Sequence, residues 1–344
     1  MNRKAFTLVE LLVVIVIIGM LAAMVSGAAV MARRRAKIAV VALEVKQLEM
    51  ACQSYKEKFG EYPPDFSNVG ATVTPPELRD AARRIVLRHL SRAFPRYIPG
   101  ITTASTADNG TWAGFVADVN DSVVGWGINP ENLTPQNALV FWLGGMPGLN
   151  TSGTSVTGFN GFGADPQNPF NRSSSRIKSL FEFDPSRSFM DATTKVICYW
   201  PQGATGDLQN GAIVYFRAEN KKYEIPYMVG ATQQSTSKSA IDRNIVGNPT
   251  VCPSVDTRLS NLPGLDAYDS SKPVTSTWLN PASFQVISSG LDVVFANPLK
   301  VKNETNSSFT LTDRVYFPTG ENYDRDTYDD IANFSNGTLE DSTP

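Results

Sequence analysis

Apolar positions change their pattern along the first 60 residues of this chain. Residues 11–32 form an unbroken run of 22 without a charge. As a helix this run is about 33 Å long, enough to cross a hydrocarbon core of about 30 Å. Beyond it, Ile38, Val41, Val45, Leu48, Cys52, Tyr55 and Phe59 recur alternately three and four residues apart. That spacing predicts one face of a helix. No proline interrupts residues 6–59, and Gly60 followed by Pro63 and Pro64 supplies a stop. The expectation is a single helix over residues 6–60, about 80 Å long, membrane-spanning over 6–32 and amphipathic over 33–60. The stripe is short for a coiled coil and continues a membrane run, so its outer half is expected to dock a globular head over residues 61–344.

Within that head, residues 75–94 read as an amphipathic helix, with Leu78, Ala82, Ile85, Leu90 and Phe94 on one side and five arginines largely elsewhere. Residues 102–163, including the GTWAGF stretch, read as loops with short strands, apart from a short helix over 135–145. Residues 150–175 are dominated by Gly, Ser, Thr and Asn, which predicts a flexible surface excursion. Aromatic and β-branched segments at 178–184, 195–200, 212–219 and 221–229 read as strands of an antiparallel sheet. Laid on the helix stripe, that sheet makes an α+β fold: a long amino-terminal stalk helix carrying a head.

Composition narrows the chemistry. The formal net charge of -2 hides a split, with net +7 over the first 100 residues and net -9 over the rest. The balance gives no footprint for nucleic acid. A single histidine, His89, and three cysteines without a CxxC pair exclude a zinc site of ordinary spacing. There is no phosphate-binding loop and no dinucleotide fingerprint, so the chain is not expected to be an enzyme. Cys52 lies on the stripe and is expected to be buried. Cys198 and Cys252 lie in the outer part, where an oxidising compartment would allow them to join, and their pairing stays open.

The charge pattern at the amino terminus is more specific. Glu10 stands alone at the start of the apolar run, and a carboxylate at the edge of a membrane helix needs a partner. The stretch Ala5, Phe6, Thr7, Leu8, Val9, Glu10, followed by the long apolar run, resembles the class III signal of type IV prepilins and type II secretion pseudopilins. The resemblance implies that a prepilin peptidase removes residues 1–5 by cutting between Ala5 and Phe6, and that Phe6 is then N-methylated. Ala5 occupies a position where that family usually has Gly. It further implies that Glu10 guides assembly, its carboxylate meeting the terminal amine of a neighbouring subunit. Positive-inside counting over Arg33, Arg34, Arg35 and Lys37 places the head in the cytoplasm, whereas the resemblance places the leader there and the head outside. Gly60, Glu61, Tyr62 and Pro63 are similar to the G-x-Y-P turn of major pseudopilins.

The carboxyl end is acidic. Eight acids and two bases fall in residues 313–344, with Asp324, Asp326, Asp329 and Asp330 close together. Such hard oxygen ligands suit Ca²⁺, though the EF-hand spacing is absent. The region 286–335 is similar to the carboxyl-terminal calcium loop of major pseudopilins. That similarity implies carboxylate ligands Asp292, Asp326 and Asp329, with carbonyls from Ser289, Asp324 and Ile331. The gap between its two halves, residues 293–323, is longer than in that family.

Taken together, these readings imply a structural pilin or pseudopilin of a type IV pilus-like or type II secretion filament. It is expected to sit as a single-pass protein of the inner membrane with a periplasmic head, and to join copies of itself or related pilins through an inner-membrane assembly platform. The alternative is a membrane-anchored or filament-tip binding module, with Trp112, Trp126, Trp142, Trp200 and Trp278 as candidate contacts.

Overall fold

The computed structural model describes residues 8–101, 108–123, 125–203, 211–237, 240–241, 250–251, 254–256, 277–291, 295, 315–317 and 330–342. Helix α1 runs unbroken over Leu8–Phe59, as the pattern predicts. Gly60 ends it at φ +85°, its N–H donating to the Lys56 carbonyl at 2.7 Å, a left-handed cap that suits glycine. Helix α2 spans Pro76–Ala93, opening on a proline whose missing N–H costs nothing there. Helix α3 spans Trp112–Asn120.

The short strands are β1 (Pro147–Leu149), β2 (Val156–Phe159), β3 (Ser188–Met190), β4 (Ile197–Tyr199), β5 (Val214–Arg217), β6 (Glu224–Val229) and β7 (Thr232–Ser237). They continue as β8 (Ala240–Ile241), β9 (Thr250–Val251), β10 (Ser254–Asp256), β11 (Thr277–Trp278), β12 (Phe284–Ser288), β13 (Val315–Phe317) and β14 (Ile331–Ala332). The sheet that positions the helix has the order β14-β12-β5 and is antiparallel throughout. The β6–β7 hairpin packs by its first strand on α2.

The stripe is buried as expected: Val41, Val45, Leu48, Cys52, Tyr55 and Phe59 lie in the core, and Ile38 packs at its edge. Each such side chain contributes about 1.5–3 kcal/mol on full burial. The sheet covers them together with α2, Trp142 and Phe162, and its two faces serve different layers. Tyr215, Phe284 and Val286 join the cluster that holds the helix, while Val214, Phe216 and Ile287 join a second cluster with Tyr223, Trp278, Leu279 and Phe317. This period-2 division explains why β12 is buried at every position.

Three expectations change. The GTWAGF stretch is helical, because Thr111 caps α3 by accepting from the Gly114 N–H at 3.2 Å. Residues 178–184 form no strand; Phe183 instead stacks edge-on against Phe159 and Tyr199. Residues 150–175 are no flexible excursion, since Phe162 and Phe170 are core residues. Gly161 there serves close backbone approach: at φ +68°, an added methyl would overlap the Ile177 carbonyl. The short helix expected over 135–145 is present over 138–144, with Val140–Gly144 wound as the wider π-helix.

Beneath the G-x-Y-P-like turn lies a polar network. Glu61 accepts from His89 Nδ1 at 2.8 Å and from Arg217 Nη2 at 3.0 Å. Arg217 Nη1 also donates to the Tyr62 carbonyl at 2.7 Å. Its Nε faces Glu219 Oε1 at 3.1 Å as a charge contact without hydrogen-bond alignment, and Glu219 Oε2 accepts from Arg88 at 3.1 Å. Burial opposes ionisation of Glu61, but the His89 hydrogen bond and the Arg217 charge outweigh it and hold its carboxyl down at about 2. Burial pushes the His89 imidazole below its usual value, against the pull of Glu61. Because Glu61 is an anion, His89 carries its proton on Nδ1, and Nε2 accepts from the Tyr55 hydroxyl at 2.8 Å.

Candidate functional site

The exposed half of α1 is the part of the molecule that the fold leaves unused. Every residue from 8 to 37 is exposed, including Leu8 at 79% and Ile15 at 59%. Apolar side chains surround the helix here instead of forming one stripe, which in a globular context would be unstable and in a bilayer is the required surface. The helix is long and apolar enough to cross a membrane. Glu10 lies in its first turn, where the helix dipole favours a carboxylate. It is exposed, and no other charge falls between Lys4 and Arg33. Ala5 and Phe6 lie outside the described residues.

The docked half is keyed to the head by one acid that the sequence reading passed over. Glu44 is buried on the helix and takes a two-pronged contact from Arg187, with Nη2 to Oε1 at 2.6 Å and Nη1 to Oε2 at 3.0 Å. The Tyr199 hydroxyl donates to Oε1 and the Gln202 N–H to Oε2, each at 3.1 Å. Both carboxylate oxygens are thus satisfied, as a buried charge demands. A signal was present: Glu44 falls three residues after Val41 and four before Leu48, within the stripe. Tyr215 donates to the Pro63 carbonyl at 2.8 Å and Trp142 to the Pro64 carbonyl at 2.9 Å, so the turn after α1 is fastened from two sides.

Of the residues implied for calcium, Asp292, Asp324, Asp326 and Asp329 lie outside the described residues. The other two, Ser289 and Ile331, are buried and close, because the β12–β14 register sets Ser288 opposite Ile331. Ser289 Oγ donates to the Gly211 carbonyl at 2.6 Å. The described part of the set therefore joins the two halves of the acidic region despite the long insertion between them. Among the described residues no group of three or more His, Cys, Asp or Glu is arranged to hold a metal ion.

Cys52 is a buried free thiol on the stripe, and burial pushes it far above the ordinary thiol value. Cys198 Sγ accepts from Asn137 Nδ2 at 3.1 Å, while Cys252 lies outside the described residues. All five tryptophans are buried, with Trp112 the most exposed at 8%. They pack the core and present no aromatic platform for a ligand.

The family described as "Prokaryotic N-terminal methylation motif" matches residues 1–26. No curated protein and no solved structure matches the chain. A methylation motif that runs into a helix of membrane-spanning length, with a head folded on the far half of that helix, supports a type IV pilin-like precursor.

Proposed function

We propose that the mature chain is a structural subunit of a type IV pilus-like or type II secretion filament. The observation that carries this reading is the continuity of the methylation motif with a single 52-residue helix, of which residues 8–37 are wholly exposed. In the membrane, lipid covers that surface. In the filament, the same surface packs against the corresponding helices of neighbouring subunits. Prepilin peptidase cuts after Ala5, Phe6 becomes the methylated terminus, and Glu10 pairs with the amine of an adjacent subunit. The head stands on the periplasmic side and forms the filament surface, and nothing in the role is catalytic.

Intact mass and amino-terminal sequencing of the protein from its native membrane test this. A chain beginning at N-methyl-Phe6 is expected. A chain beginning at Met1, or near Ala28, would make it a plain anchor or a secreted protein.

Calcium belongs to the same proposal as a structural ion, with Asp292, Asp326 and Asp329 as carboxylate ligands and carbonyls from Ser289, Asp324 and Ile331. The ion would neutralise clustered acids and pin the carboxyl-terminal segment beside β12. Added calcium is expected to raise the Tm of the purified chain, and Asp326→Ala to abolish the rise. A Tm indifferent to calcium and chelator removes the ion from the proposal.

A further inference from the structure

We propose that Arg33, Arg34, Arg35 and Lys37 form a collar that binds the phosphate headgroups of acidic phospholipids on the side of the membrane that carries the head. The inference rests on the reading of residues 11–32 as a membrane span, and it holds for either orientation of that span.

Three observations converge on it. The first is height. Burial against the head begins at Ile38 and is complete at Val41, so residues 33–37 occupy the bare stretch between the uncharged run and the head. Five residues of helix span about 7.5 Å. The headgroup layer of one leaflet is about 5–7 Å thick. The stretch therefore matches that layer, and the head rests directly on it: a side chain at Gly203 would meet Lys37 Cγ at 3.9 Å.

The second is angular distribution. At 100° per residue the four cations lie at about 0°, 100°, 200° and 40° around the helix. They cover an arc of about 200°. A protein groove approaches a helix from one side, whereas a lipid layer surrounds it, and four cations over more than half of the circumference match the second geometry.

The third is charge. All four side chains are exposed, and among the described residues none makes an ion pair. No acid occurs between Glu10 and Glu44, and Glu44 is already taken by Arg187. The collar thus presents a concentrated positive charge with no internal compensation. Such juxtamembrane cations attract acidic lipid by about fivefold each near the surface. In the assembly reading, this attraction holds the unassembled subunit at a fixed depth and adds to the work of extracting it.

The test uses the full-length chain reconstituted into vesicles of equal parts phosphatidylglycerol and phosphatidylcholine, released in mild detergent, with retained lipid counted by native mass spectrometry. Wild type is expected to retain phosphatidylglycerol over phosphatidylcholine by at least about tenfold. The R33Q/R34Q/R35Q/K37Q chain is expected to show a ratio near one, with the Tm of its head unchanged. Equal retention by wild type would hand the collar to an acidic protein surface and overturn the proposal. Enrichment that survives the fourfold substitution would overturn it as well. Flotation with phosphatidylcholine vesicles separates the two readings, since both chains are expected to float through the span alone. A wild-type chain that does not float lacks the span, and the proposal falls with it.

Discussion

Arg217→Ala is expected to destabilise the head by about 3–5 kcal/mol, the cost of removing one partner from a buried ion network. The side chain is 9% exposed and faces two carboxylates, Glu61 and Glu219, themselves 14% and 8% exposed. Without the guanidinium Glu61 loses a hydrogen-bonded cation, Glu219 keeps only the exposed Arg88, and the Tyr62 carbonyl loses its donor. The effect should reach the stalk, because Glu61 follows α1 directly and His89, bonded to Glu61, also holds Tyr55 of the stripe. Chemical unfolding of the full chain, followed by intrinsic fluorescence, gives the number. A loss below about 1 kcal/mol, in the range of an exposed pair, would show that the network is bystander chemistry.

Acid acts on this network in the same direction. Glu61 titrates below its unfolded value of 4.5, so its contribution is present above that value and is lost as pH falls toward about 2. His89 titrates below its unfolded value of 6.5, so from there downward the unfolded chain takes up a proton that the folded one refuses. Both groups bind more protons in the unfolded state over these windows. Head stability is therefore expected to fall continuously on acidification below about 6.5, and less steeply in His89→Gln.

Glu10→Ala is expected to abolish filaments while leaving the head intact. In a packed bundle of apolar helices, the terminal amine of one subunit and the Glu10 carboxylate of another compensate each other. Removing the carboxylate strands the amine in a low-dielectric contact, at about 3–5 kcal/mol per junction. That corresponds to a factor on the order of 10²–10⁴ in the association constant at each added subunit. The head has no stake in Glu10, which lies 31 residues before Val41, the first fully buried stripe position. Sheared surface protein and electron microscopy measure the filaments, and the Tm of the purified chain measures the head. Wild-type filament numbers from Glu10→Ala would remove the residue from assembly.

The elements legible along the chain were those whose signal is local. The stripe from Ile38 to Phe59 and the face of α2 repeat a helical period, and the 22-residue uncharged run is a matter of length alone; all three lie in helices, with Val86 and His89 rather than Ile85 the buried positions midway along α2. The methylation motif is likewise a short contiguous string, and it covers only residues 1–26. The segments that changed were those in which one residue type serves two purposes. Glycine marks a flexible loop and also a close backbone approach, and only the position of Ile177 reveals that Gly161 is the second. Aromatic residues mark strands and also loose segments pinned by ring contacts, and Phe181 and Phe183 are of the latter kind. Thr111 as a cap was readable, but the two glycines of GTWAGF masked the helix it begins.

The uncharged run, the long helix, the face on which the head is built and the amino-terminal methylation motif can all be read from the chain itself, because each is encoded within one contiguous segment. Tertiary structure alone decided how the head is locked to that helix. Glu44 meets Arg187 across 143 residues and Glu61 meets Arg217 across 156, and the sheet buries both of its faces instead of one. A buried charge takes whatever partner the fold delivers, and no spacing along the chain records which one that is.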